Sequence, residues 1–414
     1  MKSKQIQENF SYTEKEISEG AYVYSGYAFK SKDFDSFGIP VVKIGNIKNR
    51  AISLEQTQFF PKNLVNEKLD KFYLKDNDVL IAMTGQGSVG RVGKIRLKEN
   101  QKVLLNQRVG RFVADEQNLH LDFLFHVISS KKYEQILFDV GSGTGQPNLS
   151  PEMIQSVKIP IPIIATQRKI AKILSDLDTK IQNLQEQNKT LEQTAQAIFQ
   201  SWFVDFDGIT EFEDSELGKI PKGWSVKQIK DFCKVRRGAS PRPVGDPKYF
   251  GGDIPWIKIA DVSKSPSPYL FSTKETVTEE GAKKSVHLPK NSLIISNSGT
   301  VGKPIFLTRD GCIHDGWLYF ENLIEISQEF LYFHILTLTT HLNLIGDGTV
   351  QKNLNTTMVG EIKFVCPEKK YLDSFLKISQ IFLKTIKENQ IKINTLISIR
   401  DALLPKLMSG EIRV

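Results

Sequence analysis

The chain has 414 residues, too many for one ordinary hydrophobic core, so two or more domains are expected. Its 40 % hydrophobic and 25 % charged residues exclude a disordered chain, and no run approaches the roughly 18 apolar residues of a membrane span. A net charge of +8 admits an acidic partner without requiring one, and three scattered cysteines, Cys233, Cys312 and Cys366, support neither a disulfide framework nor a zinc knuckle.

The opening stretch MKSKQIQENF carries no apolar signal core, so a cytoplasmic location is expected. Short strands are predicted at 41–44, 79–82, 92–95 and 109–113, followed by an amphipathic helix over LDFLFHVI from Leu121. Next comes the glycine-rich loop GSGTGQPNLS, then a helical turn opened by Ser150 and Pro151, then a strand at 157–161. The loop invites a phosphate-cradle reading. A dinucleotide fingerprint, however, needs a strand before the glycines and a helix directly after them, whereas here a helix precedes and Pro147 and Pro151 block a long helix. Gly141, Gly143 and Gly145 are therefore read as positive-φ turn residues, with Asn148 bonding local backbone.

From residue 166 to 203 apolar residues recur in steps of three and four, and Leu177, Ile181, Leu184, Asn188 and Leu191 mark the middle of a heptad seam. A module of new sequence comes after it, and then the loop returns as GDGTVQKNLN: Gly141 to Gly346 is a step of 205 residues. At that step Thr144, Gln146 and Asn148 match Thr349, Gln351 and Asn353, and Gly143 matches Gly348. Upstream, IPVVKIGNI recurs as IPWIKIADV, and VLIAMTGQGSVG as LIISNSGTVG. The seam also returns, through Phe382, Ile386, Asn389, Ile393 and Leu396.

The pattern predicts an α+β protein in which two similar modules (1–162 and 206–367) alternate with two long helices (163–205 and 368–414). Each helix would be roughly 55 to 60 Å long. Its apolar stripe is buried best against the other helix, and internal duplication favours an antiparallel coiled coil with pseudo-two-fold symmetry. In that register Asn188 and Asn389 are expected to meet near the middle of the seam.

Chemical motifs are mostly excluded. Ser88 and Asn297 stand where a Walker A glycine is required before Gly93-Lys94 and Gly302-Lys303, so nucleotide binding has no support. An Asn-Pro-Pro-aromatic strip for adenine methylation is absent, and the six histidines form no metal-binding pattern. Glu361-Ile362-Lys363 has nuclease-like spacing, but its counterpart begins with Ser156. What remains is basic and polar side chains beside glycine turns. In the first module these are Lys43, Asn46, Gln86, Arg91, Lys94, Arg108 and Arg111; in the second, Arg236, Arg237, Arg242, Lys258, Asp261, Asn297 and Lys303. Such residues can neutralise phosphates and read base edges.

The segments SGYAFKSKDFDSFGIPVVKIGNI (25–47), GTGQPNLSPEMIQSVKIPIP (143–162), TQRKIAKILSDLDTKI (166–181), AIFQSWFVDF (197–206) and LGKIPKGWSVKQIKDF (217–232) closely resemble the DNA specificity subunits of type I restriction-modification systems. The first module departs from the pattern in having no tryptophan to match Trp224; Phe10 and Tyr12 are the nearest aromatics. The resemblance implies a non-catalytic chain whose two target recognition domains each read one half of an interrupted double-stranded DNA sequence. It further implies helices that set the gap and dock two adenine methyltransferase subunits, through which motor-nuclease subunits join. It implies that the chain binds no cofactor itself; S-adenosylmethionine, ATP and magnesium belong to the partners, and no membrane is involved. A structural scaffold that binds only protein is the alternative, and a self-contained methyltransferase or nuclease a third.

Overall fold

The computed structural model describes residues 12–48, 50–142, 146–262, 267–299, 301–345 and 353–414. One unit runs to Ile181 and takes in Thr395–Val414; the other is Gln182–Asn394. This division falls within the two long helices rather than at residues 162, 205 and 367, because each helix buries part of its length in each unit.

The first unit contains β1 (Glu14–Glu16), β2 (Ala21–Ser25), β3 (Ile39–Val42), β4 (Ile47–Lys48), β5 (Arg50–Ile52), β6 (Gln58–Phe60), β7 (Val79–Ala82), β8 (Val92–Lys94), β9 (Leu104–Leu105) and β10 (Val109–Ala114). After these come α1 (Leu121–Ile128), α2 (Lys131–Gly141), α3 (Pro151–Gln155), β11 (Lys158–Pro160) and the first long helix, α4 (Ile164–Phe203). The main sheet has the order β2-β10-β7-β8-β5-β4, and β6-β3-β9 form a second sheet. Strand β7 is covered on both faces, as its uninterrupted VLIA requires. Val79 and Ile81 pack with Phe123, Leu124 and Leu137 of α1 and α2, while Leu80 and Ala82 join Val42, Ile95 and Leu105 on the other side.

The second unit repeats the plan with β12 (Phe212–Ser215), β13 (Gly218–Pro221), β14 (Ser225–Gln228), β15 (Lys234–Arg237), β16 (Phe250–Ile257), α5 (Ile259–Val262), β17 (Tyr269–Leu270), β18 (Glu275–Val277), α6 (Glu279–Lys283) and β19 (Val286–Leu288). It continues through β20 (Leu293–Ser296), β21 (Pro304–Leu307), β22 (Gly311–Ile313), β23 (Trp317–Glu321), α7 (Gln328–Ile345), α8 (Thr356–Gly360), β24 (Lys363–Cys366) and the second long helix, α9 (Lys369–Met408). Here β15-β23-β20-β21-β17 and β18-β16-β22-β19 are the two larger sheets. Strand β20 divides its side chains as β7 does: Leu293 and Ile295 face the helical core, Ile294 the opposite layer. In each unit a short ladder ties chain entry to exit, β1 with β11 and β14 with β24.

The long helices share a core in both units. In the first, Ile170, Ala171 and Leu174 of α4 cluster with Leu404 and Leu407 of α9, and Asp178 pairs with Arg400 at 2.7 Å. In the second, Phe375 near the start of α9 meets Phe199 and Phe203 near the end of α4, with ring centroids 5.4 and 5.3 Å apart. Opposite ends of the helices therefore meet, which is antiparallel order. Ile181, Leu184, Ile386, Asn389 and Ile393 are buried, and Leu177, Leu191 and Leu396 half-buried. On α9 the seam passes through Leu383, with Phe382 half-buried at its flank. The expected asparagine pair is not made through Asn188 Oδ1, which is buried without a hydrogen-bond partner among the described residues.

Candidate nucleic-acid interface

The repeated loop is held by one hydrogen-bond frame, present twice. In the first unit the Leu149 N–H donates to the Met83 carbonyl (2.7 Å), the Gly90 N–H to Ala82 (2.9 Å) and the Met83 N–H to Arg108 (3.0 Å). In the second, Leu354 donates to Asn297 (3.0 Å), Gly302 to Ser296 (2.9 Å) and Asn297 to Gly316 (2.9 Å). The end of the central strand, the turn before the next long strand and the repeated loop are thereby brought together. The helical turn after each loop is capped alike: Ser150 Oγ accepts from the Met153 N–H at 3.2 Å and Asn355 Oδ1 from Met358 at 2.8 Å. Of the predicted loop residues, Gln146, Asn148 and Asn353 are placed; Gly143, Thr144, Gly348, Thr349 and Gln351 lie outside the described residues. Gly141 is not a positive-φ turn residue but the last residue of α2, where close packing matters: an added Cβ would lie 3.0 Å from Leu149.

In the first unit this frame lines a cleft of about 400 Å³ with Met83, Thr84, Gln107, Arg108, Gln146, Pro147 and Asn148. Gln86 and Arg91 are exposed on the loop beside it, as are Gln107 and Arg108 on the β9–β10 turn. Four other candidates are turned to internal work. Lys94 is nearly buried against Asp122 at 2.7 Å, over the Phe125 ring. Arg111 donates to the Tyr73 carbonyl (3.2 Å) and faces Asp78. Asn46 commits its amide to the Lys43 N–H, the Ser53 carbonyl and the Thr57 hydroxyl. Lys43 lies 3.6 Å over Phe34 and bonds Gln58.

The second unit repeats that last turn: the Lys258 N–H donates to Asp261 Oδ2 (2.9 Å), as the Lys43 N–H does to Asn46, and Lys258 Nζ pairs with Glu275. Asp261 also accepts from the Lys274 N–H (3.2 Å), so each of its carboxylate oxygens takes one backbone N–H. Lys303 is drawn inward, its ammonium on the Val262 carbonyl (2.9 Å), and burial lowers its pKa despite the nearby Glu192. Arg236 is paired with Glu321 at 2.8 Å. Arg237, Arg242 and Asn297 instead converge on Asp315. Arg237 Nε and Asn297 Nδ2 donate to its carbonyl (2.6 and 3.0 Å), and Arg242 approaches its carboxylate (3.4 Å), which also accepts from the Ser240 hydroxyl (2.8 Å). Sequence reasoning missed Gln107, Ser240 and Asp315. The available signal was their position: Gln107 and Asp315 precede equivalent residues in the turn before the last strand of each main sheet.

Among the described residues no group of three or more histidine, cysteine, aspartate or glutamate side chains could hold a metal ion, and no helix is long and apolar enough to cross a membrane. The arrangement offers turn-borne donors and acceptors on a rigid frame, which suits recognition.

Comparison with known proteins agrees. A type I restriction enzyme specificity subunit from Haemophilus influenzae, HindI, is 28 % identical, with 73 % of this chain and 80 % of that one covered. MjaIX from Methanocaldococcus jannaschii, also a type I specificity subunit, is 26 % identical over 89 % of this chain and 82 % of that one. The crystal structure of a type I restriction-modification S subunit from M. genitalium shares the fold, with a TM-score of 0.56 at 17 % identity and 98 % of each chain covered. The family model for the type I restriction modification DNA specificity domain matches twice, at residues 11–193 and 221–399, and each match spans one copy of the hydrogen-bond frame. The duplicated frame and the doubled match coincide, and the chain belongs to the type I restriction-modification DNA specificity family.

Proposed function

We propose that this chain is a non-catalytic specificity subunit that reads a bipartite, asymmetric duplex. Each unit contacts one half of the target, the α4–α9 pair sets the gap, and the helices dock two adenine methyltransferase subunits, through which motor-nuclease subunits join. In this reading S-adenosylmethionine, ATP and magnesium are held by the partners. The supporting observation is the duplicated hydrogen-bond frame, which presents Gln86, Gln107, Arg108 and Gln146 in one unit and Arg237, Arg242 and Asp315 in the other. A repeated frame with different side chains suits two readers of unlike sequences.

Binding measurements at varied salt test it. The chain alone is expected to bind duplex DNA weakly and without sequence preference. With methyltransferase subunits added, binding becomes sequence-specific and falls about a thousandfold between roughly 50 and 200 mM salt, as six or more phosphate contacts require. An assembled complex that ignores duplex DNA at low salt would leave the scaffold reading in its place.

A further inference from the structure

The Asp315 cluster carries more than general DNA affinity. We propose that Asp315 is a positioning residue that holds Arg237 and Arg242 as a paired guanidinium reader, so that the half-target contacted by the second unit contains a guanine. This rests on the DNA-reading function proposed above.

Arg237 gives its Nε to the Asp315 carbonyl at 2.6 Å, and its two terminal nitrogens make no hydrogen bond among the described residues. Those are the donors with which a guanidinium meets guanine O6 and N7 end-on. Arg242 is steadied from the same residue through its carboxylate, whose other oxygen is anchored by Ser240. Both arginines are exposed, whereas Asn297 is buried and ties the Asp315 carbonyl to the end of β20. Burial works against the Asp315 charge, but the Ser240 hydroxyl with His314, Arg237 and Arg242 outweighs it and holds the carboxyl below its usual range. Two cations beside one anion attract phosphate less than two free arginines would, yet keep their directional donors. That balance favours base reading over backbone contact.

The first unit supplies an internal contrast. Gly26 and Gly238 occupy equivalent places, donating to Val109 and Trp317 at 3.2 and 2.8 Å. Ser25 therefore stands where the second unit has Arg237, and Gln107 where it has Asp315.

The test uses the full chain assembled with its methyltransferase subunits, with methylated sequences mapped on a random-site DNA library. The second unit's half is identified as the one that changes when residues 206–367 are exchanged. It is expected to contain a G·C pair; Asp315→Ala keeps the backbone carbonyl that holds Arg237 but removes the carboxylate that steadies Arg242, and should reduce discrimination at that pair about tenfold, leaving the other half unchanged. Arg237→Lys and Arg242→Lys keep the charge on an exposed surface that folding does not depend on, and should relax the same position. A half without any G·C pair overturns the proposal, as does a set of variants that lower methylation evenly with discrimination intact. Methylation by the unmodified complex without sequence preference would defeat the specificity reading itself, a different failure.

Discussion

His334 lies inside the second unit's aromatic core, its ring stacked on Phe330 and 4.9 Å from Phe364, and burial pushes its pKa down to about 4. In the first unit burial, reinforced by the neighbouring Arg50 guanidinium, pushes His126 down to about 3. Both values lie below the 6.5 of an unfolded histidine, so the unfolded chain takes up each proton first. The stability that each contributes is complete above pH 6.5 and is lost as the pH falls towards the folded value. Each costs about 1.4 kcal/mol per pH unit in that window. His334→Phe should therefore leave the denaturation midpoint of its unit nearly unchanged at pH 7.5 and raise it relative to the parent at pH 5.5; an unchanged difference between the two pH values would refute this. The sequence could not name the partners of His126, because Arg50 at 2.8 Å and Ser175 at 3.0 Å are 76 and 49 residues away. The same distance problem hides the partners of Lys94 and Arg111: Asp122 and Tyr73 become their neighbours only once the sheet has formed.

At the scale of elements, periodicity made most of the plan legible. Continuous VLIA and LIIS runs identified central strands, and Ser150 and Asn355 identified helical turns. Less visible were the edge strand β2, whose Tyr22 and Tyr24 face solvent, and α2, whose polar sequence KKYEQILFDVG was absorbed into the approach to the loop. The α9 seam passes through Leu383 rather than Phe382, and a straight helix drifts by only about 20° per heptad against a seven-residue repeat. That tolerance has a consequence for α4. Four residues inserted between Gln185 and Leu191 lengthen the helix by about 6 Å at 1.5 Å per residue and turn its C-terminal half by only a fraction of a turn. Under the bipartite reading the insertion should widen the gap by one or two base pairs, at about 3.4 Å each, with both half-sequences unchanged. Mapping methylated sites before and after insertion checks it, and an unaltered gap would remove the helices from any role in spacing.

For the whole molecule, the repeated ladders decide where one reader can be exchanged for another. Strand β14 pairs with β24 from Ser225–Cys366 to Gln228–Lys363, so a cut at residue 365 would split the final strand of the module. Trp224 packs against Phe206 and Tyr371, at 5.7 and 5.2 Å, which makes the junction an aromatic contact that a donor module must reproduce. Exchange of residues 206–367 between family members that retain these aromatics should leave the first unit intact. The core formed there by Ile170, Leu174, Leu404 and Leu407 uses none of the exchanged residues. The hybrid, assembled with methyltransferase subunits, is expected to methylate a target with one new half, one old half and the original gap. Changes in both halves would mean that the two hydrogen-bond frames do not act independently. Their separate closure, each through its own strand end, turn and loop, is the physical ground for expecting that they do.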